Sequence, residues 1–119
     1  MSLGEAVKSV FSKYATFSGR ARRSEYWYFV LFEIIVGVVL GVLAMFVGES
    51  LVTAIDGIWT LATFIPVLAV TWRRLHDIGK SGAWFFIGLI PLVGEIILLI
   101  WLCKDSEPGD NRFGPSPKE

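Results

Sequence analysis

The sequence predicts a small all-α integral membrane protein with three apolar membrane segments and an N-terminal amphipathic helix at the membrane interface. The 119 residues are 54% hydrophobic with a mean hydropathy of +0.60, which is too apolar for an ordinary water-soluble domain. Three long apolar runs carry most of that hydrophobicity. Tryptophans stand near the ends of these runs, as in an interfacial aromatic belt: Trp27, Trp72, Trp84 and Trp101. We expect one membrane domain over residues 1–119.

An amphipathic helix is predicted over residues 1–18. Its apolar positions recur at steps of three and four: Leu3, Val7, Val10, Phe11, Tyr14 and Phe17. Ser2 and Glu5 have the spacing of a capping box, and Gly19 is the expected end of the helix. Two interpretations stay open, because such a helix either lies flat on the membrane or packs its apolar face on protein.

Residues 26–47 and 51–72 are predicted to form the first two membrane helices. Each run has the length needed to cross a hydrocarbon core of roughly 30 Å. The third run, residues 83–102, contains Pro91 and Gly94 near its middle. We expect a kinked helix that crosses the membrane fully, because proline kinks are tolerated in membrane helices. The alternative is a re-entrant hairpin that returns the tail, residues 103–119, to the side from which the segment started.

The distribution of lysine and arginine predicts the orientation. Five basic residues precede the first run, none lies between the first two runs, and three lie in the loop at residues 73–82. Basic flanks stay in the cytoplasm, so the N-terminus is expected there. The tail is rich in proline and glycine, with Arg112 and Phe113 at its centre. If it folds back on the basic flanks it is cytoplasmic, and if the third run crosses fully it is outside.

Each membrane segment contains one acidic residue: Glu33, Asp56 and Glu95. A carboxylate at the centre of a bilayer costs about 3 kcal/mol or more, so these side chains should face protein or water. Thr60 follows Asp56 by one helical turn and extends a polar stripe. Two interpretations remain open, namely polar contacts between helices or a path for protons or cations.

Gly37 and Gly41 form a GxxxG pair on the face of the first helix that also carries Glu33. Small residues allow helices to approach closely in a membrane. We therefore expect this face to pack on another helix, either of the same chain or of a second copy in a homo-oligomer.

Basic residues before the first membrane helix and after the second should share one side of the membrane. Together with a histidine and an aspartate they form a candidate basic rim for lipids or a partner: Arg20, Arg22, Arg23, Arg73, Arg74, His76, Asp77 and Lys80. Arginine and lysine near the surface attract anionic headgroups by about 1 kcal/mol each. The same residues are also explained by the positive-inside rule without any ligand. Glu25 and Asp77 are expected to pair with the arginines and to fix the junction.

The remaining motifs argue against several functional classes. One cysteine and one histidine exclude an intrachain disulfide and a Cys/His zinc cluster. The Gly79–Lys80–Ser81 tripeptide has Arg74 where a phosphate-binding loop needs glycine. The sequence therefore predicts no catalytic residue, cofactor, metal site or nucleic-acid partner. Lipid or partner binding without catalysis is the leading hypothesis, a small transporter or channel subunit is the alternative, and an enzyme using His76 and Asp77 on lipid headgroups is third.

Four blocks give the chain a family resemblance: FSGRARRSEYWYF at residues 17–29, RRLHDIGKSGAW at 73–84, IPLVG at 90–94 and GDNRFGPSP at 109–117. With them the chain resembles domain of unknown function 805, the family of YhaH-like and YhaI-like bacterial inner-membrane proteins, over nearly its whole length. Ala83 is a minor departure, because members usually have a second tryptophan after the loop glycine. The resemblance implies a multi-pass protein of a bacterial inner membrane and brings no activity, substrate or catalytic residue.

Overall fold

The computed structural model describes residues 2–117, and these form four α-helices and one 3₁₀ helix. In order they are α1 (Leu3–Ser12), α2 (Arg23–Val47), α3 (Glu49–Asp77), the 3₁₀ helix (Gly82–Leu89) and α4 (Val93–Leu102). Helices α2 and α3 are long and apolar enough to cross a membrane, whereas α4 is shorter. The all-helical prediction is confirmed for the described part of the chain, with two of the three apolar segments forming long continuous helices.

Helices α2 and α3 form an antiparallel hairpin around a single connecting residue. Gly48 has a φ of +94°, a backbone conformation that residues with a Cβ rarely adopt. We call residues 37–60, around this turn, the hairpin tip. The opposite end, where α2 begins and α3 ends, is the polar pole, comprising residues 16–25, 73–82 and 103–117.

The second membrane helix is longer than its apolar run. Helix α3 continues to Asp77, so the placement of residues 73–77 in a loop is wrong. Arg73, Arg74, His76 and Asp77 instead lie on its last turns. Their side chains are thereby fixed by a helical backbone, which matters for the geometry of the polar pole.

The third apolar segment is divided, so the expected single kinked helix is wrong. The chain reverses between the 3₁₀ helix and α4, where Leu92 has a φ of +66° and Pro91 lacks the N–H that would continue a helix. A Cβ on Gly94 would lie 1.8 Å from the Ile87 carbonyl oxygen, so the two arms touch. Both ends reach the polar pole: Gly82 lies against Trp72, and the indole of Trp27 donates to the Leu102 carbonyl at 2.9 Å.

Helix α1 packs on the other helices. Ser2 and Glu5 form the predicted capping box, and the hydrogen bonds from the Ser2 backbone and hydroxyl hold the pKa of Glu5 below its usual value. The helix ends at Ser12, with Lys13 as its C-cap, so the proposed end at Gly19 is wrong. Val10 is fully buried in a cluster with Phe29 of α2. Contact of α1 with the membrane surface stays a prediction.

Pro66 interrupts the hydrogen bonding of α3, and a distant residue compensates for it. Proline has no N–H, so the carbonyl of Ala62 loses its usual donor. The hydroxyl of Tyr14 donates to that carbonyl at 2.5 Å. Thr63, one residue further along, donates instead to the Trp59 carbonyl at 2.9 Å. The chain segment after α1 is thus fastened to the middle of α3.

Candidate functional site

The centre of the polar pole is the carboxylate of Asp77, which is completely buried. Arg20 Nε contacts Oδ1 at 3.0 Å, and Arg74 Nη1 contacts Oδ2 at 3.0 Å. The hydroxyl of Ser106 donates to the same Oδ2 at 2.5 Å. One carboxylate thus joins the segment before α2, the end of α3 and the tail. Charge-assisted hydrogen bonds of this kind are stronger than neutral ones.

Arg20 holds the tail by its main-chain oxygens. Its Nη1 donates to the carbonyls of Gly109 and Gly114 at 2.7 and 3.2 Å, and its Nη2 donates to that of Glu107 at 2.5 Å. Arg74 similarly donates to the carbonyl of Lys104. The planar guanidinium offers five N–H donors in fixed directions, which explains how one side chain orders several turns of the tail.

A second ion pair fixes the chain entering α2. Arg73 Nη1 contacts Glu25 Oε2 at 2.8 Å, and both side chains are buried. Arg73 also donates through Nε to the Thr16 carbonyl, and its own carbonyl accepts from the Ala21 N–H, both at 3.0 Å. The prediction that Glu25 and Asp77 pair with arginines is therefore confirmed.

His76 is held between the two flanking segments. Its ring stacks on Phe113 with centroids 3.9 Å apart and an interplanar angle of 2°. Its Nδ1 lies 2.9 Å from the Gly19 carbonyl oxygen; since a carbonyl only accepts, Nδ1 carries the hydrogen. Asn111 donates to the His76 carbonyl at 3.0 Å. The tail therefore folds back on the basic segments, as one of the two alternatives proposed.

These contacts give the hypothesis of a His76–Asp77 catalytic pair no support. The Asp77 carboxylate is engaged by arginines and a serine, while the histidine is directed toward Gly19. In the described range 2–117, no group of three His, Cys, Asp or Glu side chains is placed to hold a metal ion. The described contacts of His76 and Asp77 join neighbouring segments of the chain.

The candidate basic rim is only partly accessible. Arg20, Arg73 and Arg74 are 7%, 1% and 0% exposed, so they present little surface to a headgroup, and lipid binding by the rim stays a prediction. Their partners are internal carboxylates and carbonyls. Arg23 is exposed, and Arg22 and Lys80 are half-buried. The ammonium of Lys80 lies 4.5 Å from the ring centroid of Trp101.

A surface groove of about 400 Å³ lies on one face of the first two turns of α2. It is lined by Arg23, Ser24, Trp27, Tyr28 and Leu31. Arg23 donates to the Cys103 carbonyl at 3.1 Å. The hydroxyl of Ser24 is enclosed and has no hydrogen-bond partner among the described atoms. Along the helix the groove is lined first by the cation of Arg23, then by the amphipathic rings of Trp27 and Tyr28, and then by the aliphatic side chain of Leu31.

The three membrane-segment acids line three different grooves. Glu33 lies in a groove of about 470 Å³ that also includes Thr60, Asp56 lies in one of about 350 Å³ at the hairpin tip, and Glu95 lies in one of about 310 Å³ beside the 3₁₀ helix and α4. Among the described residues the Glu33 and Glu95 grooves share Phe85 as a lining residue, and the transport hypothesis stays a prediction.

Gly37 and Gly41 border the Asp56 groove without touching a neighbouring helix. A Cβ built on either glycine would meet no atom of the described chain within 4 Å, apart from its own helix backbone and neighbours. The side chain of Asp56 is exposed there. Close packing of this face within one chain is therefore wrong, and packing against a second copy stays a prediction.

Sequence reasoning missed the tail residues that complete the polar pole. Ser106 and Asn111 supply side-chain hydrogen bonds, and Phe113 supplies its ring. Arg20 and Arg74 bind backbone carbonyls of the tail, whose positions no residue type reveals. The turn-forming composition of the tail was the available signal. It indicated an ordered segment without indicating its partners.

Comparisons with known proteins identify the family of the chain. The model of a family described as "Protein of unknown function (DUF805)" matches residues 14–115. The chain is 44% identical over 110 residues to "Inner membrane protein YhaI" of Escherichia coli strain K12, covering 92% of each chain. It is also 44% identical over 115 residues to "Inner membrane protein YhaH" of the same strain, covering 92% of this chain and 93% of that protein. No solved structure matches the chain. With its long apolar helices and inner-membrane relatives, this helical membrane protein belongs to the DUF805 family.

Proposed function

We propose that this chain is a non-enzymatic component of a bacterial inner membrane that binds anionic lipid headgroups at its polar pole. The observation that carries the proposal is the groove beside Arg23. A cation, an enclosed hydroxyl, an indole and an aliphatic side chain succeed one another along α2. That order matches a phospholipid entering from the surface, with its phosphate at Arg23 and its acyl chain near Leu31.

The internal ion pairs support this role indirectly. Because Arg20, Arg73 and Arg74 are occupied inside the protein, they hold α2 and α3 at fixed positions. The groove-lining residues then sit on a rigid helix rather than a loop, which favours a defined binding geometry.

The proposed topology has a hairpin that crosses the membrane and a third segment that enters and leaves on one side. An eight-residue 3₁₀ helix and a ten-residue α-helix each reach only about 15 Å, half of a hydrocarbon core. The basic flanks favour a cytoplasmic polar pole, and in the proposed topology the N-terminus and the tail share that side.

Cys103 provides a test of this topology, since it is the only cysteine and its side chain is exposed. In intact cells, a membrane-impermeant maleimide should fail to label Cys103 and should label it once the inner membrane is opened. A cysteine introduced at Met45, on the exposed hairpin tip, is the matched control for the opposite side. Labelling of Cys103 in intact cells would refute the topology.

Native mass spectrometry of the full-length protein tests lipid binding. Phosphatidylglycerol should be retained over phosphatidylcholine, and Arg23→Ala should reduce the retained phosphatidylglycerol roughly fivefold, the effect of about 1 kcal/mol. Arg112→Ala removes an equal charge from an exposed position of the tail and should have less effect. Equal retention of the two lipids, or equal effects of the two variants, would contradict a site at Arg23.

The homo-oligomer is a separate proposal, supported by the hairpin tip. An exposed Asp56 beside two uncovered glycines is costly in hydrocarbon unless another surface or water covers it. A second copy packed on Gly37 and Gly41 would cover it. The glycine variants described in the Discussion distinguish this packing from a monomer.

A further inference from the structure

A further groove lies between α2, α3 and the 3₁₀ helix, away from the polar pole. Its volume of about 470 Å³ falls within the usual range for small-molecule sites, which are mostly apolar with a few polar groups. Four of its lining side chains are aromatic: Tyr26, Phe29, Phe64 and Phe85. Such walls favour an aromatic ring through offset or edge-to-face contacts.

A polar group without a partner lies at this groove. Glu33 accepts a hydrogen bond from the Trp59 indole at 3.0 Å through Oε2. Its other oxygen, Oε1, is enclosed and has no hydrogen-bond partner among the described atoms. An unsatisfied carboxyl oxygen is expensive in an apolar environment, so a ligand group that bonds the Glu33 carboxyl group once its side chain turns toward the groove would offset that cost.

The chemistry of that group follows from the two protonation states of Glu33. An ionised carboxylate needs a donor, whereas a protonated carboxyl group needs an acceptor. A hydroxyl group serves either state, because it both donates and accepts. Thr60 and Thr63 line the same groove; Thr60 is exposed, whereas the Thr63 hydroxyl donates to the Trp59 carbonyl.

We propose that this groove binds a membrane-soluble phenol, with the aromatic ring among the four aromatic side chains and the hydroxyl at the Glu33 carboxyl group. The class includes quinols with the ring and hydroxyl exposed at one end of an apolar chain. The site is independent of the headgroup groove at Arg23, since it shares no lining residue with it. The proposal concerns binding alone and includes no chemical step on the ligand.

Photo-crosslinking of the full-length protein in lipid nanodiscs tests the proposal. The probe is a 4-alkylphenol with a diazirine in its chain, and the matched ligand control is the same alkylbenzene without the hydroxyl. Crosslinks of the phenol should saturate, map to α2 and α3 around the groove, and form at roughly tenfold lower concentration than those of the alkylbenzene.

Two variants and one control separate the hydroxyl contact from simple partitioning into lipid. Glu33→Leu should abolish the preference for the phenol, while Glu95→Leu, in a different groove, should retain it. Val67→Trp fills the groove without altering Glu33 and should reduce crosslinking by both probes. Circular dichroism establishes that each variant is folded.

Several outcomes would overturn the proposal. Equal crosslinking by the two probes, or an undiminished preference in folded Glu33→Leu, would show that the hydroxyl is not recognised there. Unchanged crosslinking in folded Val67→Trp would place the probes elsewhere. Native mass spectrometry that finds a tightly retained phospholipid, which excess phenol fails to displace, would assign the groove to acyl chains instead. These results do not depend on the headgroup experiment at Arg23. If that experiment fails, the crosslinking results still test the phenol site.

Discussion

Charged residues are buried and paired at the polar pole, whereas Asp56 is exposed at the hairpin tip. At the pole, Arg20, Arg74 and Asp77 are buried and bonded to one another. At the tip, Asp56 is exposed beside glycines that touch no neighbouring helix. The buried acids of the pole therefore have charged partners within one chain, whereas the tip leaves a carboxylate exposed in the described chain.

This contrast shows that a buried charge is tolerated where partners are built around it. Removing one partner from a buried ion pair strands the other charge, which costs far more than breaking a surface pair. Variants at the pole should thus act on folding. Variants at the tip should act on association, with little effect on the fold of one chain.

The largest expected effect comes from Asp77→Asn. The substitution removes the charge that faces Arg20 and Arg74, both buried, and should lower the free energy of unfolding by roughly 3–5 kcal/mol. Denaturation of the detergent-solubilised full-length protein by sodium dodecyl sulfate, followed by circular dichroism, measures this loss. Asp110→Asn, at an exposed position of the tail, is the control and should change stability by less than about 0.5 kcal/mol. Similar losses in both variants would mean that the pole is not organised around Asp77.

Glycine-to-alanine substitutions compare the two regions with the same chemical change. Gly94→Ala places a methyl group against the Ile87 carbonyl and should destabilise the protein by about 1–3 kcal/mol through overpacking. Gly37→Ala meets open space and should stabilise the isolated chain by about 0.5–1 kcal/mol, because alanine favours a helix. Unfolding titrations give both values.

The Gly37→Ala variant also tests whether the hairpin tip packs on a second copy of the chain. If the tip packs on a second copy, Gly37→Ala should weaken the oligomer, since the added methyl groups separate the helices. Light scattering after size-exclusion chromatography measures the mass. A monomer in both proteins, or an unchanged oligomer, would argue against packing through this face.

The smallest expected effect is that of Tyr14→Phe. It removes the hydroxyl that bonds the Ala62 carbonyl, which Pro66 leaves without a helical donor, and should cost about 1 kcal/mol. Hydrogen exchange should rise in the segment after α1 and in the middle of α3. Tyr28→Phe removes a hydroxyl from an exposed tyrosine of α2 and should leave exchange there unchanged; equal exchange in the two variants would contradict the contact.

Much of the fold could be predicted because it depends on local patterns. The apolar runs located α2 and α3, and the spacing of Ser2 and Glu5 located the start of α1. The pairing of Glu25 and Asp77 with arginines followed from placing two basic segments on one side of the membrane. The end of α3 was predicted too early, because the polar residues 73–77 resemble a loop when their buried partners are unknown.

For the third apolar segment the sequence left two conformations open, a kinked helix and a reversal. Pro91 and Gly94 are compatible with a kink or with a reversal, and composition favours neither. The reversal depends on Leu92 adopting a positive φ and on Gly94 fitting against Ile87. Both depend on how the 3₁₀ helix and α4 pack against each other, which the hydropathy of the sequence does not specify.

The sequence by itself determined that this is a helical membrane protein of the DUF805 family, because hydrophobic length and short motifs are local properties of the chain. Only the tertiary structure decided which arginines are buried in ion pairs and which are exposed. Arg20 and Arg73 are removed from the surface by carboxylates and carbonyls 48 or more residues away, whereas Arg23 stays exposed. The physical reason is that burial and pairing depend on contacts between distant segments, which a pattern of residue types does not specify.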